Sequence, residues 1–289
     1  MSIRQSELIL NPDGSVYHLN LKPENIANDI IFVGDQDRVE SISNHFDSIE
    51  FTTQKREFKT STGIYKGKRL TVISTGIGPD NIDIVLNELD ALVNIDLKTR
   101  KLKSILTALN IVRIGTSGSL QKDIPVDSFL MSSHALDLNG MLHSYQIEEI
   151  ANQEIENAFV KHTNWSPKKA HPILIKNSAV LGKKLMSEKI LTGITATAGG
   201  FYGPQGRVLR LPLQDAAINS KIDSFNWKGA RITNLEMETS AIYGLSQLLG
   251  HHAVSMNAII ANRANGTFSK DYKKVINNLI EYSLGKLVE

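Results

Sequence analysis

The sequence has 289 residues, 41% hydrophobic and 21% charged, a composition typical of a globular protein with a sizeable core. Its 32 basic and 30 acidic residues leave a formal net charge of +2, so no overall charge favours nucleic acid or a membrane surface as a partner. The absence of cysteine excludes disulfides, thiolate catalysis and cysteine-ligated zinc. The N-terminal segment lacks the apolar core of a signal peptide, and no run approaches the roughly 20 apolar residues of a membrane span. We therefore expect a cytoplasmic protein.

Apolar runs of strand length alternate with segments of helical periodicity along the chain. The predicted strands are, in order, 30–33, 70–74, 111–114, 129–131, 190–196, 232–235 and 253–261. The predicted helices are 82–93, 173–186, 237–249 and 272–288. This alternation predicts an α/β fold, a three-layer sandwich whose largely parallel or mixed central sheet is covered by helices on both faces. Because no repeat or linker interrupts it, we expect a single domain over residues 1–289.

The segment 96–103, Asp-Leu-Lys-Thr-Arg-Lys-Leu-Lys, carries a cluster of like charges after a predicted helix. It is short and has no aromatic residue with which to stack a base. We interpret it as a solvated helix end, where cations complement the helix dipole, rather than as a nucleic-acid site.

The segment 201–207, Phe-Tyr-Gly-Pro-Gln-Gly-Arg, combines an aromatic ring, a tight turn, a carboxamide and a guanidinium. Gln205 offers one donor and one acceptor group, and Arg207 offers a fork of donors. Together they could bind the edge of a flat heterocycle that presents carbonyl, N–H and carbonyl, while Phe201 covers its face. The alternative is a surface loop, because Gly-Pro-Gln-Gly is ordinary turn chemistry.

Three glycine-containing loops follow predicted strands, at the edge where open α/β sheets bind ligands. They are 34–38 (Gly-Asp-Gln-Asp-Arg), 74–79 (Ser-Thr-Gly-Ile-Gly-Pro) and 113–118 (Arg-Ile-Gly-Thr-Ser-Gly). Arg38 can pair with phosphate, and Arg113 in an apolar strand is costly unless it meets an anion. None of the loops fits the spacing of a dinucleotide-binding or Walker motif. They favour an oxyanion, most simply phosphate, over plain turns at strand ends.

Two polar motifs close later strands. In the motif 234–239, Glu238 could accept hydrogen bonds from a diol such as ribose, although an acidic residue in a first helical turn also complements the helix dipole. The motif 259–263 places Asn262 and Arg263 directly after an apolar run. The pair His251 and His252 supplies too few ligands for a metal site.

Taken in order, these motifs resemble the nucleoside phosphorylase family, most closely its uridine phosphorylase branch. The resemblance extends from about residue 18 to the C-terminus and includes Arg-Glu-Phe at 56–58 and Glu-Met-Glu at 236–238. It implies the family fold and a role for each matching residue. The implied phosphate-binding residues are Gly34, Arg38, Arg56, Arg113 and Thr116. The implied ribose-binding residues are His18, Glu236, Met237 and Glu238. The implied base-binding residues are Phe201, Gln205, Arg207, Ile260 and Ala261, and the implied catalytic residues are Gln205, Arg207 and Arg263.

The resemblance also implies the reaction: phosphorolysis of uridine and other pyrimidine nucleosides to uracil and ribose 1-phosphate, with phosphate as co-substrate and no cofactor. It implies a homo-oligomer, by family precedent a hexamer, in which Arg56 and His18 reach the site of a neighbouring subunit. Family members can hold a monovalent cation between subunits. The matching positions here include Glu57 and Ile77, with Asn81 where the family has serine.

Three other functions remain open. A purine nucleoside phosphorylase of the same fold usually carries Ser-Asp, where this chain has Asn262-Arg263. A nucleoside hydrolase would not need the arginines available here for phosphate. A non-catalytic nucleoside-binding protein is suggested by Gln36, which replaces the usual proline of the phosphate loop, but the retained Arg38, Arg113 and Glu238 argue against it.

Overall fold

The computed structural model describes residues 2–289. The strands are β1 (Asp29–Val33), β2 (Ser48–Lys55), β3 (Phe58–Tyr65), β4 (Lys68–Ser74), β5 (Ile95–Asp96), β6 (Lys101–Leu102), β7 (Asn110–Ser119), β8 (Phe129–Asp137), β9 (Ile173–Lys176), β10 (Ile190–Thr197), β11 (Asn226–Trp227), β12 (Ala230–Glu236), β13 (His252–Asn262) and β14 (Thr267–Phe268). The α-helices are α1 (Gln36–Ser43), α2 (Pro79–Asn94), α3 (Gln153–Thr163), α4 (Ala179–Leu185), α5 (Ile218–Asp223), α6 (Thr239–Leu248) and α7 (Tyr272–Val288).

Twelve of the strands form one mixed sheet in the order β11-β12-β10-β8-β13-β7-β1-β4-β3-β2, with β9 beside β8 and β14 beside β13. β4, β1, β7 and β13 are parallel neighbours, as are β8, β10 and β12. The direction reverses where β13 meets β8 and across the meander β2-β3-β4. β12 also pairs with β7, which closes part of the sheet on itself.

Two layers of helices cover the sheet, because its inner strands are apolar on both faces. Along β1, Ile30 and Phe32 pack in a core with α2 and α6, whereas Ile31 and Val33 pack in a second core with α1, α4 and α7. This alternation is what a buried parallel strand requires. The predicted three-layer α/β fold is confirmed.

A third core lies under α3 and α5, against β10 and β12. Phe159 is at its centre, with ring centroids 5.7 Å from Trp165 and 5.3 Å from Phe225. The helix α5, which packs in this core, directly follows the segment that contains residues 201–207.

All seven predicted strands are present, and the predicted helices at 82–93, 237–249 and 272–288 correspond to α2, α6 and α7. The predicted helix 173–186 is wrong. Its first part is β9, which pairs antiparallel with β8, and only Ala179–Leu185 is helical. The run Ile173–Ile175 is buried, and periodicity alone cannot separate such a short apolar run from a helix.

The interpretation of 96–103 as a helix end is also wrong. α2 ends at Asn94, and the basic residues lie on a small hairpin formed by β5 and β6. The Asp96 carboxylate accepts hydrogen bonds from the backbone N–H groups of Lys98 and Thr99, which favours a turn over a continued helix.

No helix within residues 2–289 is both long enough and apolar enough to cross a membrane.

Candidate functional site

A cavity of about 980 Å³ lies at the carboxyl ends of β1, β4, β7, β12 and β13. Twelve residues with predicted roles line it: Gly34, Arg38, Arg113, Thr116, Phe201, Gln205, Arg207, Glu236, Met237, Glu238, Ile260 and Ala261. Glu57, Ile77 and Asn81 line it as well. A second cavity of about 810 Å³ lies behind the segment 201–207, but none of the three glycine loops reaches it.

The centre of the cavity is a buried ion pair between Arg113 and Glu238. Arg113 lies on the same face of β7 as Ile111, toward α6, because side chains alternate along a strand. Its Nη2 donates to Glu238 Oε2 at 2.7 Å, and its Nη1 donates to Asn257 Oδ1 at 3.1 Å. A Cβ at position 115 would lie 2.0 Å from Arg113 Nη1, so the guanidinium requires glycine there.

The charge of Arg113 is balanced by two carboxylates. Its side chain is 9% exposed, and Glu236 Oε2 lies 3.1 Å from Nη2 in addition to the contact with Glu238. Burial by itself would lower the pKa of Arg113, but the charges of Glu236 and Glu238 raise it above its ordinary value. The arginine therefore stays fully charged in the core of the protein.

Glu236 and Glu238 have different environments. The Glu236 carboxylate accepts from Thr197 Oγ1 at 2.6 Å and from the backbone N–H groups of Glu238 and Thr239, so it holds the beginning of α6. Within residues 2–289, Glu238 accepts hydrogen bonds only from Arg113 and from the Gly78 N–H at 2.9 Å. Since each carboxylate oxygen can accept about two hydrogen bonds, Glu238 has acceptor capacity left for a ligand and Glu236 has little.

The electrostatics of Glu238 follow from its burial. Burial raises the pKa of its carboxyl group, the charge of Arg113 opposes that rise, and the neighbouring charge of Glu236 adds to it. Its ionised form therefore depends on Arg113.

At one end of the cavity, Arg38 lacks a counter-ion. It follows the phosphate loop in the first turn of α1, and its Nη1 donates only to the backbone oxygen of Ile114, at 3.3 Å. No carboxylate within residues 2–289 forms an ion pair with it. Burial lowers the pKa of Arg38 and the positive charge of Arg113 lowers it further, while the charges of Asp35 and Glu238 oppose the shift. An anion bound beside Arg38 would stabilise its charged form.

At the other end, a 3₁₀ turn over Gly203–Gln205 presents Gln205 and Arg207. The Arg207 guanidinium lies 3.8 Å above the Phe201 ring and donates to Gln205 Oε1 at 2.5 Å. Gly206 has φ +66°, and a Cβ there would lie 2.4 Å from Asn219 Nδ2. The turn therefore depends on glycine at 206, a position whose importance the sequence left open.

Arg263 does not line the cavity. Its Nη1 donates to the backbone oxygen of Gln205 at 2.7 Å, so it supports the turn from behind. Burial lowers the pKa of Arg263, and the charge of Arg207 adds to the effect. Burial also lowers the pKa of Arg207. Arg207 and Arg263, like Arg38 at the other end of the cavity, have no carboxylate partner in the described part of the chain.

Two predicted residues, His18 and Arg56, lie outside the cavity of their own chain. Arg56 occupies the turn between β2 and β3 with φ +55°, and its guanidinium lies 6.0 Å from the Tyr17 ring. His18 is bound to Glu88 through Nδ1 at 2.6 Å. The structure places these two residues near each other, because Tyr17 contacts both.

Sequence reasoning missed several features of the site. Phe268 on β14 lines the cavity and is 60% exposed, and no motif marked it. Gln36 also lines the cavity, and its Nε2 donates to the Arg56 carbonyl at 2.7 Å, which links the phosphate loop to the β2–β3 turn. Asn262 is structural: its Nδ2 donates to the backbone oxygens of Gln121 and Ile124.

Within residues 2–289, no three or more histidines, cysteines, aspartates and glutamates cluster in a way that could hold a metal ion.

The sequence model of the phosphorylase superfamily matches residues 29–284 of this chain. The chain belongs to the phosphorylase superfamily. Uridine phosphorylase of Thermococcus kodakarensis is 29% identical over 269 residues, which cover 91% of this chain and 83% of that protein. A DeoD-type purine nucleoside phosphorylase of a Geobacillus species is 26% identical over 271 residues, 92% of this chain and 96% of that protein.

Solved structures of nucleoside phosphorylases are also similar to this chain. A Trypanosoma brucei nucleoside phosphorylase, described as showing uridine phosphorylase activity, has a TM-score of 0.89 and 30% identity, over 97% of this chain and 99% of that one. A Phytophthora capsici uridine phosphorylase has a TM-score of 0.75 and 20% identity, covering 100% of this chain and 99% of that one, which supports the fold. The family resemblance inferred from the motifs is confirmed.

Replacing Arg113 with methionine is expected to lower the free energy of unfolding by about 3–5 kcal/mol, because it leaves two buried carboxylates without their cation. Urea denaturation of the purified variants measures this loss. Arg207→Met, which removes an arginine without a carboxylate partner, is the matched control and should cost much less. The double variant Arg113→Met/Glu238→Gln should recover part of the loss; if it were no more stable than Arg113→Met, the ion-pair interpretation would be wrong.

Proposed function

We propose that this protein catalyses the phosphorolysis of uridine and related pyrimidine nucleosides, giving uracil and ribose 1-phosphate. The observation that carries the proposal is the distribution of charge in one cavity. Arg38, without a counter-ion, lies toward Arg113 at one end, Glu238 lies at the centre, and the Gln205–Arg207 pair lies at the other end. The named uridine phosphorylases among the relatives support the same reaction.

The phosphate end supplies the nucleophile. Cleavage of an N-glycosidic bond passes through a sugar cation with oxocarbenium character. A phosphate bound by Arg38, Arg113 and the loop at Thr116 would stabilise that cation and attack C1′. The bond from C1′ to a phosphate oxygen forms as the bond from C1′ to the base nitrogen breaks, and its electron pair leaves with the base. No side chain has to act as nucleophile.

The base end stabilises the leaving group. Negative charge grows on the departing pyrimidine, and the Arg207 guanidinium with the Gln205 carboxamide would meet it at the carbonyl and N–H edge. The family resemblance implies a catalytic role for Arg263. Because its guanidinium binds the Gln205 backbone oxygen, we assign it to positioning the turn.

The ribose would lie over the ion pair. Glu238 has acceptor sites left for the ribose hydroxyls, and Met237 lines the cavity beside it. Glu236 is a less suitable ribose ligand, because the backbone of α6 and Thr197 already occupy its oxygens. We therefore assign Glu236 to positioning Glu238 and Arg113.

The carboxylates of the cavity argue for a pyrimidine over a purine. They come from the phosphate loop, from Glu57 and from the pair 236–238, and none comes from the base-reading segments 201–207 or 259–263. The purine branch uses an aspartate there to protonate N7, and the matching position here is Arg263. The uncompensated Arg38 tells against a hydrolase, since water needs no cation to bind it.

The proposal includes a homo-oligomer with shared sites. His18 and Arg56 lie outside their own cavity and near each other, so a second copy of the chain could receive both at once. A hexamer built of dimers and a cytoplasmic location complete the proposal.

A monovalent cation between subunits also stays a prediction. Glu57, Ile77 and Asn81 supply a carboxylate, a backbone carbonyl and a carboxamide, which are the oxygen donors that hard cations prefer. Asn81 Nδ2 donates to the Ile77 backbone oxygen at 3.5 Å, so the two residues are adjacent. Such an ion would neutralise the Glu57 carboxylate at the subunit boundary.

Uracil release from uridine is expected to require inorganic phosphate and to be faster than hypoxanthine release from inosine. The test follows both reactions by chromatography, with and without phosphate. Equal rates of uridine cleavage in the absence of phosphate would contradict phosphorolysis, and a preference for inosine would contradict the pyrimidine assignment.

Arg207→Ala is expected to lower kcat/KM for uridine by about 10²–10³-fold, because it removes the main charge facing the leaving base. Arg210→Ala, a change at an exposed arginine three residues away that does not line the main cavity, is the matched control. Unchanged turnover by Arg207→Ala would show that the base-reading role is wrong.

Subunit sharing can be tested by complementation. Arg56→Ala and Arg207→Ala chains should each be nearly inactive alone. In a hybrid dimer, the site on the Arg56→Ala chain keeps Arg207 and receives an intact Arg56 from its partner, whereas the other site lacks both arginines. Random pairing of the two co-expressed chains should restore about a quarter of wild-type activity, since roughly half of the dimers are hybrids. Arg38→Ala with Arg207→Ala is the control. Both of these residues line one chain's cavity, so that pair should restore nothing. Equal outcomes for the two pairs would contradict shared sites.

A further inference from the structure

Glu88 is a nearly buried carboxylate that lies outside the cavity and has no part in the chemistry described so far. It is on α2, and its side chain is 12% exposed. One oxygen accepts from the backbone N–H of His18 at 2.9 Å, and the other accepts from the backbone N–H of Leu19 at 2.9 Å. The first oxygen also lies 2.6 Å from His18 Nδ1. A single side chain therefore holds both the backbone and the ring of His18.

These contacts determine which ring nitrogen of His18 is free. An ionised carboxylate can only accept hydrogen bonds, so the 2.6 Å contact requires the hydrogen on Nδ1. That leaves Nε2 as the acceptor of the neutral ring, and the side chain is 28% exposed, so this nitrogen can meet an outside group. Fixing a tautomer through the opposite nitrogen is how carboxylates orient functional histidines.

The neighbours of His18 restrict the ring further. The Tyr17 ring packs edge-on against it with centroids 4.9 Å apart, and Lys55 Nζ donates to the Tyr17 carbonyl. On the other side Leu19 is fully buried in the core with α2. The segment is thus anchored at three consecutive residues, while the His18 imidazole keeps its outer edge exposed.

The family resemblance implies that His18 contacts the ribose 5′-hydroxyl in the neighbouring subunit's site. We propose that Glu88 is the positioning residue for that contact: it holds the His18 ring so that Nε2 can accept the hydrogen bond. This rests on the proposed function. The pair selects nucleosides with a free 5′-hydroxyl. A 5′-deoxynucleoside leaves the fixed Nε2 without its partner. Glu88 accepts from two backbone N–H groups and from the ring, whereas the carboxamide of Glu88→Gln has a single acceptor oxygen for these three donors, so the ring is no longer held with its hydrogen on Nδ1.

The test compares uridine with 5′-deoxyuridine as substrates of the full-length protein, by kcat and KM. Glu88→Gln and His18→Ala should each lower kcat/KM for uridine about tenfold, the effect of losing roughly one hydrogen bond, chiefly through KM. Both should leave 5′-deoxyuridine within about twofold of wild type, because that substrate never makes the contact. Glu88→Asp, which keeps the charge, should fall between wild type and Glu88→Gln. Glu148→Gln, at an exposed glutamate, is the control and should change neither substrate.

The outcomes separate a positioning role from a structural one. Equal losses on both substrates, accompanied by a lower Tm, would show that Glu88 merely stabilises the N-terminal segment and would overturn the proposal. Wild-type discrimination in Glu88→Gln would overturn it too. The double variant His18→Ala/Glu88→Gln should match His18→Ala, since Glu88 acts through the ring, and additive losses would contradict that. A wild-type protein that cleaves no uridine with phosphate would instead overturn the proposed function itself.

Discussion

The buried pair of Arg113 and Glu238 is the interaction on which the arrangement of the site depends. It joins β7 to the beginning of α6, and Asn257 on β13 binds the same guanidinium. A charge in the core is tolerated only with its partners in place, so the strands β7 and β13 and the helix α6 are held in one relative position. The Glu236 carboxylate caps the beginning of α6 by accepting from the Glu238 backbone N–H. This keeps the Glu238 backbone at a position from which the Glu238 carboxylate reaches Arg113.

The two ends of the cavity differ in how they are supported. At the end near Arg38, Thr116 is on β7, whose register with β13 is fixed by hydrogen bonds within the sheet, and Arg38 is in the first turn of α1, which directly follows β1. The opposite end, at residues 201–207, is a turn outside the sheet, stabilised by Arg263 and by Asn219 on α5, whose Nδ2 donates to the Gly206 carbonyl. Arg38 at one end and Arg207 at the other have no carboxylate partner within residues 2–289; under the proposed function, bound phosphate and the developing anionic base offset that cost. The proposed function therefore places specificity for the base on the part of the site that the sheet constrains least.

The sequence predicted the elements that carry strong local signals. Strands such as 111–114 and 253–261 are apolar runs ended by glycine or polar residues, and the ligand loops follow from the rule that open sheets bind at their carboxyl ends. The error at 173–186 arose because a short buried strand and a short helix are separated by only two residues, Asn177 and Ser178, whose residue types are common in turns and at helix N-caps and were the signal of the boundary. The different environments of Glu236 and Glu238 could not be read from Glu-Met-Glu, because Thr197 and Arg113, which create them, are distant in sequence. Glu88 was invisible for the same reason: it lies 70 residues from His18, and nothing in its local sequence marks it.

Gln36 shows how a departure from the family pattern can be accommodated. Proline would fix the backbone of the phosphate loop but has no side chain able to donate a hydrogen bond. Gln36 instead donates to the Arg56 carbonyl and accepts from Gln54 Nε2 at 3.1 Å, so it stabilises a turn in which Arg56 has a left-handed backbone. Such a conformation costs on the order of 1 kcal/mol for a residue with a Cβ, and a hydrogen bond to its carbonyl offsets a cost of that size. With glutamine in place of proline, the backbone of the loop 34–38 is less restricted, but the loop is hydrogen-bonded to the β2–β3 hairpin that carries Arg56. Under the proposed function, the loop 34–38 binds phosphate in its own subunit, and Arg56 reaches the site of the next subunit. The Gln36 carboxamide then holds both of them.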